Sequence, residues 1–530
     1  MLSPRTFLAL LFASTVACSA AVAPGGQVVE TPEAGDTVLG STLRPGCGLP
    51  RKLLLSTWRG FHPQRSGNLQ LVPRAPNHIG KKFPHSGPWD FLQKVPMLWY
   101  GPGVVPATGK VGRRVTMADV APTIADLIGF PFQAPDGKPM VEALAKPDAL
   151  PRLVLTVVWD GGGRNVLAEY PDAWPNLRRM IRKGVWFERA TVGSSQSVTP
   201  PIHTTLGTGA FPRRHGIVDL LFEVDGRLVP AFEEGPRHLL VQTLADRYDL
   251  ALGNRPEIGV VAFREWHLGM IGHGSALPGA DRDLAVTLDR RTGRWVLKPP
   301  NDRFYEFAAY ANDVPGRGRY LRQLDLEDGR QDGSWLGERI LLDPELPPKT
   351  PAYTRWQTGI LQEIIRREGF GADDVPDLLF TNYKQIDEVS HRWSMNSPQM
   401  EAVVRSTDQA LGDLERVLDR SVGEGRWVMV VTADHGSTPN AELSGAIEVE
   451  KWDLMGLLEA QFGDGDDRKV VMEMRPAQAW IDLDELRDQG ATLEEVAEFL
   501  RGFRVNGKRF FSAVIPGDLM AGTECLDPAR

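Results

Sequence analysis

The sequence predicts an α/β fold built on a mostly parallel sheet, and three observations carry that expectation. Apolar, β-rich runs at 153–160, 377–383 and 427–432 have the near-continuous hydrophobicity of strands buried on both faces. Helical patterns alternate with them, at about 174–183, 355–368 and 398–420. Each run also ends at or shortly before an acid, Asp160, Asp387 and Asp434. The C-terminal ends of parallel strands are where such sheets gather functional groups.

The 530 residues exceed one ordinary domain, so a large core with insertions is expected. Hydrophobic content of 42% and charged content of 24% are those of a soluble globular protein. A net charge of −8 argues against binding a nucleic-acid polymer.

From the N-terminus, Arg5, the apolar stretch 7–13 and the small residues Ser19-Ala20-Ala21 read as an export signal over 1–23. Cys18 stands in an imperfect lipobox, which adds a lipid anchor as an alternative to plain cleavage. The expected locations are periplasmic, secreted, or lipid-anchored at the outer face of the membrane. Residues 24–50 read as a flexible lead-in rich in Gly, Pro and Thr. A short strand is expected near 94–100, before Gly101-Pro102-Gly103, and an amphipathic helix over 115–129, ending at Gly129. Five prolines make 131–151 a linker. Core should run over 152–219, a turn-rich cap insertion over 220–345, and core again over 346–440. A second insertion, with a strand at 477–483 and a helix at 493–503, occupies 441–530 before the chain returns to the core.

Two places combine carboxylate and imidazole, and a third offers a hydroxyl. Asp434-His435 closes the last strand, and Asp387 and His391 are spaced i,i+4. Carboxylate and imidazole are the ligand types of a Zn²⁺ site. Between Asp160 and Asp387 lies Ser197-Val198-Thr199-Pro200-Pro201, a hydroxyl on a turn before a helix, where an anion is favoured. Each feature alone is no more than a cap or a helical pair, and Thr199 is a poor nucleophile without a base or metal. Gly161–Gly163 lacks nucleotide-binding spacing and reads as backbone that clears a crowded site. His203, His215 and His267 read as packing residues or as neighbours of the ligands.

Taken in order, Asp160, Thr199-x-Pro201…Thr205-Leu206-Gly207-Thr208-Gly209, Phe211-Pro212…His215-Gly216-Ile217, Asp387-xxx-His391 and Ala433-Asp434-His435-Gly436 resemble the alkaline phosphatase superfamily, in its type I phosphodiesterase/nucleotide pyrophosphatase branch. The resemblance implies a three-layer sandwich with cap insertions. It implies two Zn²⁺ ions, with other divalent metals as substitutes, around the nucleophile Thr199. Asp160, Thr199, Asp434 and His435 would hold one ion, and Asp387, His391 and a further histidine the other. The implied reaction cleaves a phosphodiester or pyrophosphate of a small-molecule or lipid-like substrate through a phospho-threonine intermediate. A phosphomonoesterase or phosphonate hydrolase on the same site, and a degenerate metal-binding protein, are the alternatives.

In the family the last histidine follows the Asp-His-Gly motif, yet none occurs after His435. The stretch His85-Ser86-Gly87-Pro88, then Val95-Pro96-Met97-Leu98 with Gly101-Pro102-Gly103, then Ala121-Pro122-Thr123, resembles that missing end. The resemblance therefore implies a circularly permuted order, with His85 as the seventh ligand and His78, then His62, as fallbacks. Permuted ends should be neighbours, which implies a Cys47–Cys525 disulfide. Two departures bear on substrate. Leu220 holds the position of a phosphate-binding asparagine, and the Arg264-Glu265-Trp266 stretch lacks a Lys-x-Arg pair. Both weigh against a phosphomonoester.

Overall fold

Leu153–Trp159 (β4) lies at the centre of a nine-stranded sheet in the computed structural model, which describes residues 21–22, 28–30, 48–144, 150–465 and 468–521. The other strands of that sheet are Met97–Tyr100 (β2), Gly109–Thr116 (β3), Val185–Thr191 (β5), Ile258–Val261 (β6), Leu284–Asp289 (β7), Arg294–Val296 (β8), Asp377–Tyr383 (β9) and Trp427–Thr432 (β10). Their order is β8-β7-β6-β9-β4-β10-β2-β5-β3. All neighbours run parallel except at β7/β8, β10/β2 and β2/β5, so only β2 and the edge strand β8 oppose the rest.

The three runs picked out by their apolar character are the three central strands, because only strands covered on both sides need apolar residues at every position. Along β4, Val154 and Val158 enter one core while Leu153, Leu155, Val157 and Trp159 enter the other, the period-two pattern of a pleated strand. The first core is closed by the helices Val120–Leu127 (α1) and Thr199–Thr208 (α3). The second is closed by Pro175–Lys183 (α2), Pro351–Arg367 (α4), Gln385–Trp393 (α5) and Pro398–Leu418 (α6). The result is the expected three-layer α/β sandwich. Burying one such Val or Leu contributes roughly 1.5–3 kcal/mol.

A second, antiparallel sheet has the order Val471–Arg475 (β11), Gln478–Ile481 (β12), Leu69–Pro73 (β1), Phe511–Pro516 (β13). An early segment thus sits between late ones, Leu69 opposite Pro516. Leu69 and Leu71 pack with Val514, Val496 and Leu500 in its core.

Several expectations change. Residues 115–129 do not form one helix: Val115 and Thr116 finish β3, and the Asp119 carboxylate accepts the Thr116 N–H before α1 begins at Val120. The region 220–345 is not wholly a cap, since β6, β7 and β8 extend the main sheet. They are short strands between dense turns, which hid their rhythm. Val28–Glu30, placed in the flexible lead-in, pairs with Arg504–Val505. Residues 51–130 divide between both sheets. Among the described residues no helix is long and apolar enough to cross a membrane. The remainder of the export signal, Cys18, Cys47 and Cys525 lie outside the described residues.

Candidate active site

β9, β4 and β10 are adjacent and parallel, so their C-terminal ends deliver Asp160, Lys384 and Asp434-His435 to one spot. Close backbone contact holds those ends together. The Gly161 N–H donates to Asp434 Oδ1 at 3.0 Å. Gly161 has φ +71°, and a Cβ there would lie 3.1 Å from Asp387 Cα. A Cβ on Gly163 would come within 2.4 Å of Gly436 Cα. The glycines therefore let the two loops touch.

Thr199 is the first residue of α3, followed by prolines that need no N–H partner in a first turn. The helix thus begins at the hydroxyl itself, not after the prolines. Asp387 and His391 lie one turn apart on α5, with His391 Nε2 3.4 Å from Asp387 Oδ1. His85 Nε2 reaches the same oxygen at 3.3 Å. His85, Asp387 and His391 form one cluster, and Asp160, Asp434 and His435 another. In the second, His435 Nε2 lies 3.3 Å from Asp434 Oδ2 and 3.5 Å from Asp160 Oδ1.

These atoms suit cations. Asp387 Oδ1, Asp434 Oδ2 and His435 Nε2 are buried without a hydrogen-bond partner, a costly state that a bound cation relieves. Each imidazole also turns its Nδ1 to a backbone carbonyl: His85 to Ser197 O at 2.9 Å, His391 to Lys82 O at 2.6 Å, His435 to Gly436 O at 3.0 Å. A carbonyl only accepts, so Nδ1 carries a proton and, in the neutral ring, Nε2 would be left to face a cation, the usual support for a metal-binding histidine. Ligand atoms about 2.0–2.1 Å from a tetrahedral ion stand about 3.3 Å apart, matching these separations.

Lys384 closes the site. Its Nζ donates to Asp160 Oδ1, Thr199 Oγ1 and Asp387 Oδ2, each at 2.8 Å. Burial disfavours its charge, but Asp160, Asp387 and Asp434 outweigh that and hold the ammonium protonated well above the usual lysine range. Asp387 is likewise held well below the carboxylate range, burial notwithstanding, by His391, Lys384 and His85. His435 is pulled down by burial but pushed up to about 9 by Asp434, Asp160 and Asp387, while burial and the neighbouring His435 lower His85.

A family model for type I phosphodiesterase/nucleotide pyrophosphatase matches residues 154–521. The chain belongs to that family. Its members are phosphoric ester hydrolases of the alkaline phosphatase superfamily. Over 418 residues the chain is 23% identical to alkaline phosphatase PafA of Elizabethkingia meningoseptica, covering 67% of this chain and 74% of that protein. It is 22% identical over 387 residues to a Myroides odoratus protein named calcium-transporting ATPase, covering 60% and 67%. The crystal structure of wild-type PafA has the same fold, with a TM-score of 0.52 at 18% identity over 66% of this chain and 76% of that one. The family match begins at Val154, so His85, β2 and β3 all precede it.

The family motifs did not point to Lys384, which lies three residues before Asp387; its burial between carboxylates appears only in three dimensions. Asn382, whose Nδ2 donates to Asp160 Oδ2 at 2.9 Å, was also missed. His203 and His267 sit closer to the chemistry than a packing role requires. Their Nδ1 atoms are 2.7 Å apart, His203 Nε2 lies 3.5 Å from Asp434 Oδ2, and both group with Asp160. His215 remains structural, binding Thr205 Oγ1. The fallback His78 instead pairs with Glu448, and the His62 Nδ1 accepts the Gln64 N–H. A cleft of about 840 Å³, lined by Lys52, Arg59, Lys94 and Arg164 among others, contains none of the seven proposed ligands. His391, 35% exposed, is the most open of the cluster side chains and marks the mouth of the site.

Proposed function

We propose that this protein is an exported, two-Zn²⁺ hydrolase that cleaves phosphodiester or pyrophosphate bonds of a small-molecule or lipid-like substrate, with Thr199 as nucleophile. The observation that carries the reading is Thr199 Oγ1 bound to Lys384 between two His/Asp clusters. Asp160, Asp434, His435 and Thr199 would hold one ion, and Asp387, His391 and His85 the other. When bound, the ions supply Lewis-acid charge for the attacking and leaving oxygens. Thr199 Oγ attacks phosphorus from the N-terminus of α3, where the dipole favours the anionic group, and water then hydrolyses the phospho-threonine.

Substrate charge follows from the donors at hand. Lys384 has three N–H groups and three acceptors, leaving none for a phosphate oxygen. Leu220 brings no side-chain amide, and the Arg264 guanidinium lies over the Trp266 ring at 4.8 Å. Few donors suit a singly charged diester better than a dianion. The alkaline phosphatase name of relatives such as PafA favours the second reading, a phosphomonoesterase. Turnover of bis-p-nitrophenyl phosphate and p-nitrophenyl phosphate by one zinc-loaded sample separates them. Monoester preference overturns the diester reading, and inactivity with metal bound points to a binding protein.

A permuted chain order is part of the proposal. It is supported by β1 lying between β12 and β13, and by β2 and His85 entering the site from before the first central strand. Export rests on Arg5, the apolar stretch 7–13 and the small residues after it.

A further inference from the structure

We infer that Lys384 is a catalytic residue that carries the charge on the Thr199 oxygen in both halves of the reaction. The inference rests on the reading of Thr199 as nucleophile and adds a role for a residue outside the proposed ligand set.

The geometry defines the role. The ammonium is buried, and its three donors point at Asp160 Oδ1, Asp387 Oδ2 and Thr199 Oγ1. Two carboxylates, one from each cluster, tether the Nζ, so the third N–H is aimed at Oγ1 without rotational freedom. A donor fixed before the reaction costs no reorganisation when charge develops, which is the condition for large electrostatic stabilisation. Because every N–H is committed, the ammonium acts on the nucleophile oxygen and not on the phosphate's free oxygens. It also links the clusters, since Asp160 belongs to one and Asp387 to the other.

The bond changes place the charge where that donor sits. Thr199 gives its hydroxyl proton to solvent, Oγ forms the bond to phosphorus, and the bond from phosphorus to the leaving oxygen breaks, that oxygen taking a proton from water. In the second half a water oxygen bonds to phosphorus and releases its proton to solvent. The Oγ–phosphorus bond breaks, and the electron pair returns to Oγ. Oγ therefore holds negative charge before the first transfer and after the second, each time against the Lys384 N–H.

The test uses the zinc-loaded full chain and rapid quench with bis-p-nitrophenyl phosphate, measuring formation and decay of phosphorylated Thr199 by mass spectrometry. Lys384→Met is expected to slow both steps by roughly 10²–10³-fold, the loss typical of one such donor, with zinc content unchanged. Lys384→Ala with added ethylammonium should recover part of both rates. If Lys384→Met does not fold, Lys384→Gln, which keeps a donor without the charge, is read the same way. Both rates within about threefold of wild type at equal zinc content would overturn the inference, as would a rate loss that merely tracks lost zinc or that ethylammonium does not reverse. A wild-type enzyme that turns over without phosphorylating Thr199 would instead defeat the nucleophile reading, so the two failures are distinct.

Discussion

The imidazoles of His85 and His435 stack face to face, their ring centres 3.6 Å apart and 10° from parallel. His85 precedes every strand of the main sheet, and His435 follows the last of them. The stack sets both Nε2 atoms toward Asp387 Oδ1, at 3.3 and 4.0 Å, so that carboxylate is the common edge of the two clusters.

His85→Ala removes one ligand from the His85–Asp387–His391 cluster. Zinc content should fall by about one ion and kcat/KM by at least roughly 100-fold, since even residues that only support a ligand cost 10–100-fold. Plasma mass spectrometry of the dialysed variant measures the first quantity. Unchanged zinc and turnover would remove His85 from the site.

Thr199→Ala deletes the proposed nucleophile while leaving both carboxylate–imidazole clusters intact. Diester turnover should drop by roughly 10³-fold or more, with most of the zinc retained. A variant that stays within tenfold of wild type would mean that water, not Thr199, attacks.

Gly163→Ala drives a Cβ to 2.4 Å from Gly436 Cα. Overpacking of this kind costs about 1–3 kcal/mol, and here the strain would separate the loops bearing Asp160 and His435. Lower thermal stability together with weaker zinc binding is expected; a variant that behaves as wild type in both would refute the close-contact argument.

Asp249 gives a pH dependence away from the site. Burial, then the charge of Asp281, pushes its carboxyl up to about 7. The folded state therefore holds a proton that the unfolded chain releases near pH 3.9. The stability this contributes is full below pH 4 and is lost as pH rises to about 7. Asp249→Asn should raise Tm more at pH 8 than at pH 4.5, and calorimetry showing an equal shift at both would count against it.

Leu49, two residues from Cys47, and Met520, five from Cys525, share one apolar cluster. The proposal of an exported, permuted chain predicts that these cysteines are bridged, which non-reducing peptide mapping reads directly. Two free thiols would dismiss the bridge.

The fold was legible in the central strands because β4, β9 and β10 are buried on both faces and so mostly apolar. β6, β7 and β8 were not, being short strands between turns at the sheet's edge, where local pattern is weak. In the site, Asp160, Asp387, His391, Asp434 and His435 could be read off because each stands beside a strand end or one helical turn from a partner.

By itself the sequence determined which side chains were on offer and the local elements that carry them: hydroxyl before prolines, acid and imidazole at strand ends, glycines between. The motif order already pointed to His85 as the partner of Asp387 and His391; only the tertiary structure decided that His267 meets His203, and that Lys384 spans Asp160, Asp387 and Thr199. The reason is physical. Periodicity and turn chemistry act over a few residues and mark the sequence there, whereas a salt bridge or a stacked ring pair depends on distance in space. Sheet order sets that distance, through strand pairings that leave no local trace in the chain.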